Sequence, residues 1–193
     1  MTILRNSLMT LEAYAKERKA MRERVIQHKK NRAARLGNHV ALLFEDELTI
    51  RYQIQEMLHI EKIFDEEGIQ AELDTYLPLV PDGKNLKATM QIEYENEIER
   101  HAALRRLIGI EDRVFLQVDG EPPVYAIADE DLERDNEEKT SAVHFLRFEF
   151  TETMRARVRE SLRLYVGCDH PGYFCGLQQI EPRVVASLIG DFE

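Results

Sequence analysis

Apolar and polar residues follow two different periods along this chain. Residues 87–94 and 141–150 alternate between apolar and polar, which is the period of a strand with one buried face. Residues 48–66 repeat their apolar side chains every three or four positions, as a helix does. The remaining predicted helices cover 10–36, 69–77, 96–108, 152–160 and 181–191, and the remaining predicted strands cover 39–44, 113–118, 124–129 and 162–167.

The connections between these elements favour antiparallel strands. Residues 113–118 and 124–129 are joined by DGEPP, whose Asp-Gly pair is typical of a hairpin turn. Alternating strands also favour an antiparallel sheet with one face in water. We therefore expect one α+β domain over 1–193, with a mostly antiparallel sheet of about five or six strands and helices packed mainly on one face. A long basic helix at 10–36 precedes the α+β body at 38–193.

Composition places the chain among folded proteins with a heavily charged surface. It has 193 residues, of which 44% are hydrophobic and 32% are charged, and these values do not suit a disordered chain. No run of about 18 apolar residues occurs, so we expect no membrane-spanning helix. The first residues, MTILRNSLMTLEAY, lack the apolar segment of a signal peptide, and two cysteines are too few for a disulfide framework. We therefore expect a cytoplasmic protein.

Charge is distributed unevenly along the chain. The segment 16–35 has nine basic and two acidic residues and therefore a net charge of +7. Because the whole chain has a net charge of −10, the rest of the chain has a net charge of −17. Such a segment is either a solvated helix against an acidic body or a basic arm for nucleic acid. Apart from Tyr14 at its edge it has no aromatic residue for base stacking, and the acidic remainder would repel phosphate. These features argue against nucleic acid.

The helix predicted at 48–66 carries carboxylates close to its apolar side. The predicted apolar face consists of Ile50, Ile54, Met57, Leu58 and Phe64. Glu61 falls in the middle of this face, and Glu56 lies on the next flank. A carboxylate in such a place is costly unless it is paired or protonated. Glu61 is therefore a partner of a buried arginine, a functional carboxylate in a dry site, or a sign that the face is wetter. The polar candidates for binding on this helix are Arg51, Gln53 and Gln55.

Several patterns contain the residue types of a metal site without completing one. Glu56 and His59 have the spacing of half a di-iron carboxylate site, but no second Glu-x-x-His occurs. Cys168, His170 and Cys175 supply three zinc-type ligands at a spacing that matches no standard zinc pattern, so ordinary loop residues are the simpler interpretation. The acidic run at 129–138 indicates a solvated loop rather than a metal loop. We predict no cofactor, with a bound metal as the alternative.

His144 stands on the apolar face of the strand predicted at 141–150. Such a histidine is either a core residue satisfied by a hydrogen bond or part of a site. In the second case it would meet Glu61 or Glu56 across the helix–sheet layer and form an acid–base pair or two ligands of a metal. Arg147, on the opposite face of the strand, is expected to pair with charges on neighbouring strands.

Long strings of the chain resemble a bacterial family known as domain of unknown function 3501. The strings are ERVIQHKKNR, LLFEDELTIRYQIQEMLHIEKIF, VPDGKN with KATMQIEY, and ADEDLERDNEEKTSAVHFLRFEF, in this order between about residues 20 and 190. The family has no assigned activity, so the resemblance supplies no catalytic residue. It often has arginine at the position of His59 and usually lacks cysteine near Cys168, which argues against both incomplete metal patterns.

The resemblance also implies a cellular setting. It indicates a stand-alone cytosolic protein, and we associate such proteins with genes for rubrerythrin-like and iron–sulfur proteins. The first functional hypothesis is therefore a non-catalytic accessory or binding protein in a redox, iron–sulfur or metal-stress pathway, with a redox or iron–sulfur protein as partner. The second is a small metal-dependent or acid–base enzyme that uses Glu56, Glu61, His144 and Arg147. The third is nucleic-acid binding through 16–35. A homodimer through 48–66 fits all three.

Overall fold

The computed structural model describes residues 3–130, 134 and 138–193. Within these ranges the chain has six α-helices and nine strands, so the expected α+β class is confirmed. The helices are α1 (Leu11–Lys29), α2 (Glu47–Glu61), α3 (Glu66–Tyr76), α4 (Glu97–Arg106), α5 (Glu152–Ser161) and α6 (Pro182–Leu188). The strands are β1 (Ala33–Leu36), β2 (Val40–Phe44), β3 (Asn85–Ile92), β4 (Val114–Val118), β5 (Val124–Tyr125), β6 (Ile127–Ala128), β7 (Val143–Glu149), β8 (Leu164–His170) and β9 (Tyr173–Gln179).

The strands divide between two antiparallel sheets instead of forming one. The first sheet has the order β1-β2-β3-β7-β6 and the second has the order β5-β4-β8-β9. The strand predicted at 124–129 is the point of division, because β5 pairs with β4 whereas β6 pairs with β7. Ala126, between these two short strands, is buried. This segment therefore belongs to both sheets and connects them.

One large core joins the two sheets to the later helices. Inward-facing residues of both sheets and of α4, α5 and α6 form a continuous buried cluster. Representative members are Leu42, Phe44, Met90, Leu107, Leu116, Phe148, Val158, Val166 and Val185. Removing this apolar surface from water is the main driving force for folding of the β-sheet body.

A second, smaller core lies within the first three helices. Ile50, Ile54 and Leu58 of α2 pack with Ile69 and Leu73 of α3. Thr10 caps α1 by accepting a hydrogen bond from the backbone N–H of Ala13, as the sequence predicts. We refer to α1, α2 and α3 as the helical layer, because they lie over the outer face of the five-stranded sheet.

The long helix predicted at 10–36 is shorter in the structure. It ends at Lys29, and residues 33–36 form β1, whose side chains alternate between exposed and buried. Gly37 has a φ of 63° in the turn between β1 and β2, so it serves a strand turn and not a helix end. The two-residue period of β1 covers only four positions, which is too short to stand out beside a strong helical pattern.

The helix predicted at 48–66 also ends early. Lys62 adopts a left-handed conformation with φ 57° and terminates α2 after Glu61. Phe64 therefore does not continue the apolar face of α2 and is 78% exposed. Glu61 is exposed as well, so of the three alternatives for this residue the wetter surface is correct.

The segment around Cys168 is a hairpin and not a loop. β8 continues to His170, Pro171 and Gly172 form the turn, and β9 returns beside it. The turn residues explain the sharp reversal. The sequence analysis did not predict β9, because its side chains are mostly exposed and lack a clear alternation.

A buried guanidinium joins the end of β2 to the C-terminal turn at Ile189–Asp191. Arg32 is 1% exposed. Its Nε donates to the Phe44 carbonyl over 2.9 Å, its Nη2 donates to the Glu45 carbonyl over 3.0 Å, and it pairs with the Asp191 carboxylate. Burial raises the pKa of Asp191 to about 6 in spite of the arginine beside it.

No helix in the described part of the chain is long and apolar enough to cross a membrane.

Candidate metal centre

His144 lies in the large core, between the two sheets. It stands opposite Met90 in the pairing of β3 with β7, and no part of it is exposed. Its neighbours on the same face of β7, Leu146 and Phe148, are buried too. The alternation of the strand thus places an imidazole where the sequence predicts it.

Asp129 holds one side of this imidazole. Its Oδ2 lies 2.5 Å from Nδ1 of His144. Its Oδ1 accepts hydrogen bonds from the backbone N–H of Phe145 over 2.9 Å and from Nε of Arg134 over 3.0 Å. The backbone of Asp129 is left-handed, with φ 46°, a conformation that few side chains adopt and that is found at functional sites. Three donors therefore fix the position of this carboxylate.

The other ring nitrogen, Nε2, faces a second group of oxygens. Thr140 Oγ1 lies 2.9 Å away, the Ser141 carbonyl 3.0 Å and the Glu111 Oε2 3.8 Å. Glu111 is 6% exposed and begins the short 3-10 turn (Glu111–Arg113) before β4. A neutral ring protonated at Nδ1 would accept from the Thr140 hydroxyl, whereas a doubly protonated ring would donate to the Ser141 carbonyl.

Glu111, Asp129 and His144 have the donor atoms of a metal site. One ligand atom from each can be chosen so that all lie within 4.8 Å of one another. Imidazole nitrogen and carboxylate oxygen are ligands for zinc, iron and manganese. A carboxylate on the far nitrogen of the ring, as Asp129 is here, orients the imidazole in many metal sites. We call these three residues the His144 cluster.

The carboxylates that the sequence paired with His144 lie elsewhere, so that prediction is wrong. The Glu56 carboxylate accepts from Nε and Nη2 of Arg18 over 2.8 and 2.9 Å and from the Tyr14 hydroxyl over 2.5 Å. The hydrogen bonds from Arg18 lower the pKa of Glu56 to about 2. Glu61 is exposed at the end of α2. The His144 side chain points toward the second sheet, whereas α2 covers the opposite face of the first.

The polar candidates on α2 have structural partners or line a crevice. Gln55 is buried and accepts from the backbone N–H of Met9 over 2.6 Å. Arg51 donates to the Ser7 carbonyl and to Glu47. Gln53 lines a crevice of about 230 Å³ between α2 and the outer face of the first sheet. The partners of Gln55 and Arg51 are Met9, Ser7 and Glu47, none of which belongs to the His144 cluster.

Arg147 lies outside the cluster, on the outer face of β7. It donates from Nε and Nη2 to the two carboxylate oxygens of Glu130, over 2.7 and 2.8 Å, and it also pairs with Glu149. These hydrogen bonds, with that to Glu130 the strongest, raise the pKa of Arg147. The arginine therefore pairs with nearby strand charges, as the sequence analysis expects.

The incomplete metal patterns do not converge in the structure. His170 Nε2 lies 3.1 Å from the Ile108 carbonyl, and its Nδ1 accepts from the Gly172 N–H over 3.0 Å. Cys168 and Cys175 are free thiols. His59 contacts the Tyr14 ring edge-on, with ring centroids 5.7 Å apart. The acidic run at 129–138 lies partly outside the described residues.

Sequence reasoning missed two members of the His144 cluster. Glu111 and Asp129 stand in charged stretches, where a carboxylate normally indicates a solvated surface. One available signal was the position of Asp129 directly after a strand, where its side chain can reach the neighbouring strand. The pairing of β6 with β7 brings Asp129 to His144.

Comparisons with known proteins give a family and a similar structure. The model of the family described as "Protein of unknown function (DUF3501)" matches residues 2–192. A crystal structure of a novel protein of unknown function from Burkholderia pseudomallei K96243, at 1.90 Å resolution, is 69% identical and covers 100% of both chains with a TM-score of 0.96. A search of curated proteins gives no match.

Proposed function

Because the chain belongs to this family of proteins of unknown function, we propose its function from the geometry of the His144 cluster: the protein binds a divalent first-row transition-metal ion there. The observation that carries the proposal is the convergence of Glu111, Asp129 and His144, whose ligand atoms lie within 4.8 Å of one another. Each residue comes from a different part of the chain, and the fold brings them together between two sheets.

The two ring nitrogens of His144 have different roles in this proposal. Asp129 binds Nδ1, and Nε2 lies on the side of Glu111, whose Oε2 is 3.8 Å away. Two ligands of one metal ion, each about 2.1 Å from it, are separated by roughly this distance. Glu111 and His144 are therefore the proposed direct ligands, and Asp129 orients the ring. The Thr140 hydroxyl and the Ser141 carbonyl are further oxygen donors on the Nε2 side.

Charge and burial also support a cation at this place. Glu111 is 6% exposed and His144 is fully buried. Carboxylates that are removed from water need positive charge nearby, because an uncompensated buried charge is strongly destabilising. Arg134 supplies one such charge to Asp129, and a metal ion in the cluster would add further positive charge beside the two carboxylates. Since the imidazole is fully buried, we propose a role in binding and not in catalysis.

Calorimetric titration of chelator-treated protein with Zn²⁺ and Mn²⁺ tests the proposal. We expect one equivalent to bind to the wild type. Glu111→Gln keeps the shape of a ligand but removes its charge, and it should weaken binding at least tenfold. Asp129→Asn alters the residue that orients the ring, and changes of this kind weaken metal binding by about 10- to 100-fold.

Glu45→Gln is the matched control. Glu45 is as deeply buried as Glu111, at 7% exposed, but it accepts a hydrogen bond from Thr89 on the outer side of the first sheet. This variant should bind metal like the wild type. If the wild type binds no metal, or if Glu111→Gln binds as tightly as Glu45→Gln, the His144 cluster is a buried ion-pair network and the proposal is wrong.

Association with a second protein remains a separate prediction. Ile60 and Phe64, at and beyond the end of α2, are 62% and 78% exposed. Large exposed apolar side chains of this kind favour the homodimer that the sequence analysis predicts through this region. Light scattering at high concentration tests it, because a monomer throughout would contradict the prediction. A redox or iron–sulfur partner rests on the family resemblance and is tested by pull-down from native lysate.

A further inference from the structure

The two cysteines of the chain face each other across a hairpin. Cys168 on β8 is directly opposite Cys175 on β9. Residues that are directly opposite in a sheet point to the same face, and both cysteines pack in the large core, Cys168 fully buried and Cys175 half-buried. Both are free thiols in the structure.

Opposed positions in an antiparallel pair have the spacing that a disulfide needs. Their Cα atoms lie about 4.5 or 5.5 Å apart, depending on the hydrogen-bond pattern. The Cα atoms of disulfides lie about 4.4–6.8 Å apart. We propose that Cys168 and Cys175 form a redox-active thiol pair, which closes a reversible disulfide on exposure to a hydroperoxide.

The position of the pair shows what the bond would restrain. β9 is an edge strand with exposed apolar side chains, among them Phe174 at 79% and Leu177 at 53%. The Tyr173 hydroxyl at its start donates to the Leu36 carbonyl over 2.7 Å and accepts from the His39 N–H over 2.9 Å. A disulfide would hold β9 on β8, and so also hold the contact between the hairpin and the β1–β2 turn.

Reaction begins at the more accessible sulfur. The Cys175 thiolate attacks the peroxide, so that an S–O bond forms, the O–O bond breaks and one water leaves with the thiol proton. The Cys168 sulfur then attacks this sulfenic acid, so that the S–S bond forms, the S–O bond breaks and a second water leaves. The two thiols lose two electrons and two protons, and hydrogen peroxide takes them up to give the two waters.

Burial makes both thiols slow to react. It raises the pKa of Cys168 to about 11 and raises the pKa of Cys175 as well. Because the thiolate is the nucleophile, oxidation should accelerate as the pH rises. The pair therefore stays reduced under mild conditions and responds to sustained oxidant.

Mass spectrometry of the purified, metal-free full chain tests the inference. The protein is treated with hydrogen peroxide at about pH 9, where the thiolate fraction is larger than at neutral pH, and is then denatured and alkylated. We expect a wild-type mass lower by two hydrogens and no alkylation, with two alkylated cysteines after treatment with dithiothreitol. Two alkylated cysteines before reduction, or Cys175 oxidised to the sulfinic acid while Cys168 is alkylated, would overturn the inference.

Stability gives an independent readout of the same bond. The thermal midpoint of the oxidised wild type should rise by roughly 5 °C, and amide exchange in Tyr173–Gln179 should slow. Cys175→Ser and Cys168→Ala should show neither change after the same peroxide treatment. A shift of equal size in both variants would contradict the disulfide. Because metal is absent throughout, these outcomes do not depend on the metal proposal.

Discussion

Two groups of side chains in this protein contain carboxylates shielded from water, and they differ in the partners of the carboxylate oxygens. In the helical layer, Glu56 receives the fork of Arg18 and the hydroxyl of Tyr14. Between the sheets, Glu111 and Asp129 converge on the single imidazole of His144. The first group joins two helices through one carboxylate with strong donors. The second brings three ligand-type side chains to one point.

This difference distinguishes a structural ion pair from a candidate metal site. Arg18 satisfies the carboxylate of Glu56 bidentately, which is the usual geometry of a structural ion pair. An arginine in that place leaves little reason for a metal or a substrate to bind. In the His144 cluster an imidazole lies among the carboxylates, and Asp129 divides its two oxygens between Nδ1 of His144 and Nε of Arg134. Burial of a carboxylate alone is thus a poor indicator of function, and the nature of its partners is a better one.

Removal of Asp129 should have the largest effect. Asp129→Ala leaves the imidazole of His144, the Phe145 N–H and Arg134 without their acceptor, and we expect a loss of about 3 kcal/mol in the free energy of unfolding. Glu56→Ala should cost less, because Arg18 is 41% exposed and water can replace its partner. Urea unfolding of both variants measures the contrast, and a larger loss for Glu56→Ala would reverse the ranking of the two groups.

Metal binding should stabilise the folded protein through the His144 cluster and not through Glu56. At a metal concentration about 100 times the Kd, binding should add about 2.7 kcal/mol to the free energy of unfolding. Glu56→Gln should keep this gain, whereas Glu111→Gln should lose about half of it or more. The measurement is urea unfolding with and without Zn²⁺. Equal gains in both variants would place the ion outside the His144 cluster.

The contribution of Glu56 to the stability of the folded protein should decrease in acid. The pKa of Glu56 is lowered from 4.5 to about 2 in the folded protein, so the folded state binds this proton less tightly than the unfolded state does. The contribution of its charge is therefore fully present above about pH 4.5 and is lost as the pH falls toward 2. The stability difference between wild type and Glu56→Gln should shrink over this window, and an unchanged difference at pH 3 would contradict the assignment.

The hydroxyl of Tyr14 should make the smallest contribution. Tyr14→Phe removes one hydrogen bond to Glu56 but leaves the two from Arg18, so we expect a loss of about 1 kcal/mol. Thermal or urea unfolding measures it. The ring stays buried in the variant, which makes Tyr14→Phe a test of the hydrogen bond alone. A loss as large as that of Asp129→Ala would mean that the two groups do not differ as described.

Local patterns predicted most elements of the fold but not the division into two sheets. The alternation at 87–94 and 141–150 gave β3 and β7 with the correct buried faces. The passage from β5 to β6 depends on which strand each short segment pairs with, and two-residue strands carry no period. The end of α1 at Lys29 is decided by pairing of β1 with β2, a tertiary contact that overrides helical propensity.

The candidate site was predicted only in its central residue. His144 stood out because a histidine on an apolar strand face is uncommon, and the structure buries it there. Its partners come from segments 15 and 33 positions earlier in the chain, and a pattern in one segment gives no information on such pairing. The choice of Glu56 and Glu61 as partners assumed that the helices cover the same sheet face as His144, whereas the second sheet covers that face.

The two separate cores imply two units of different resistance to opening. The helical layer has its own cluster of Ile50, Ile54, Leu58 and their neighbours, distinct from the cluster that unites the sheets. A small cluster buries less apolar surface, so its cooperative opening should need less free energy than global unfolding. The helices can therefore release while the sheets persist, and the crevice beneath α2 would widen first. Transient access to the outer face of the five-stranded sheet is thus built into the packing.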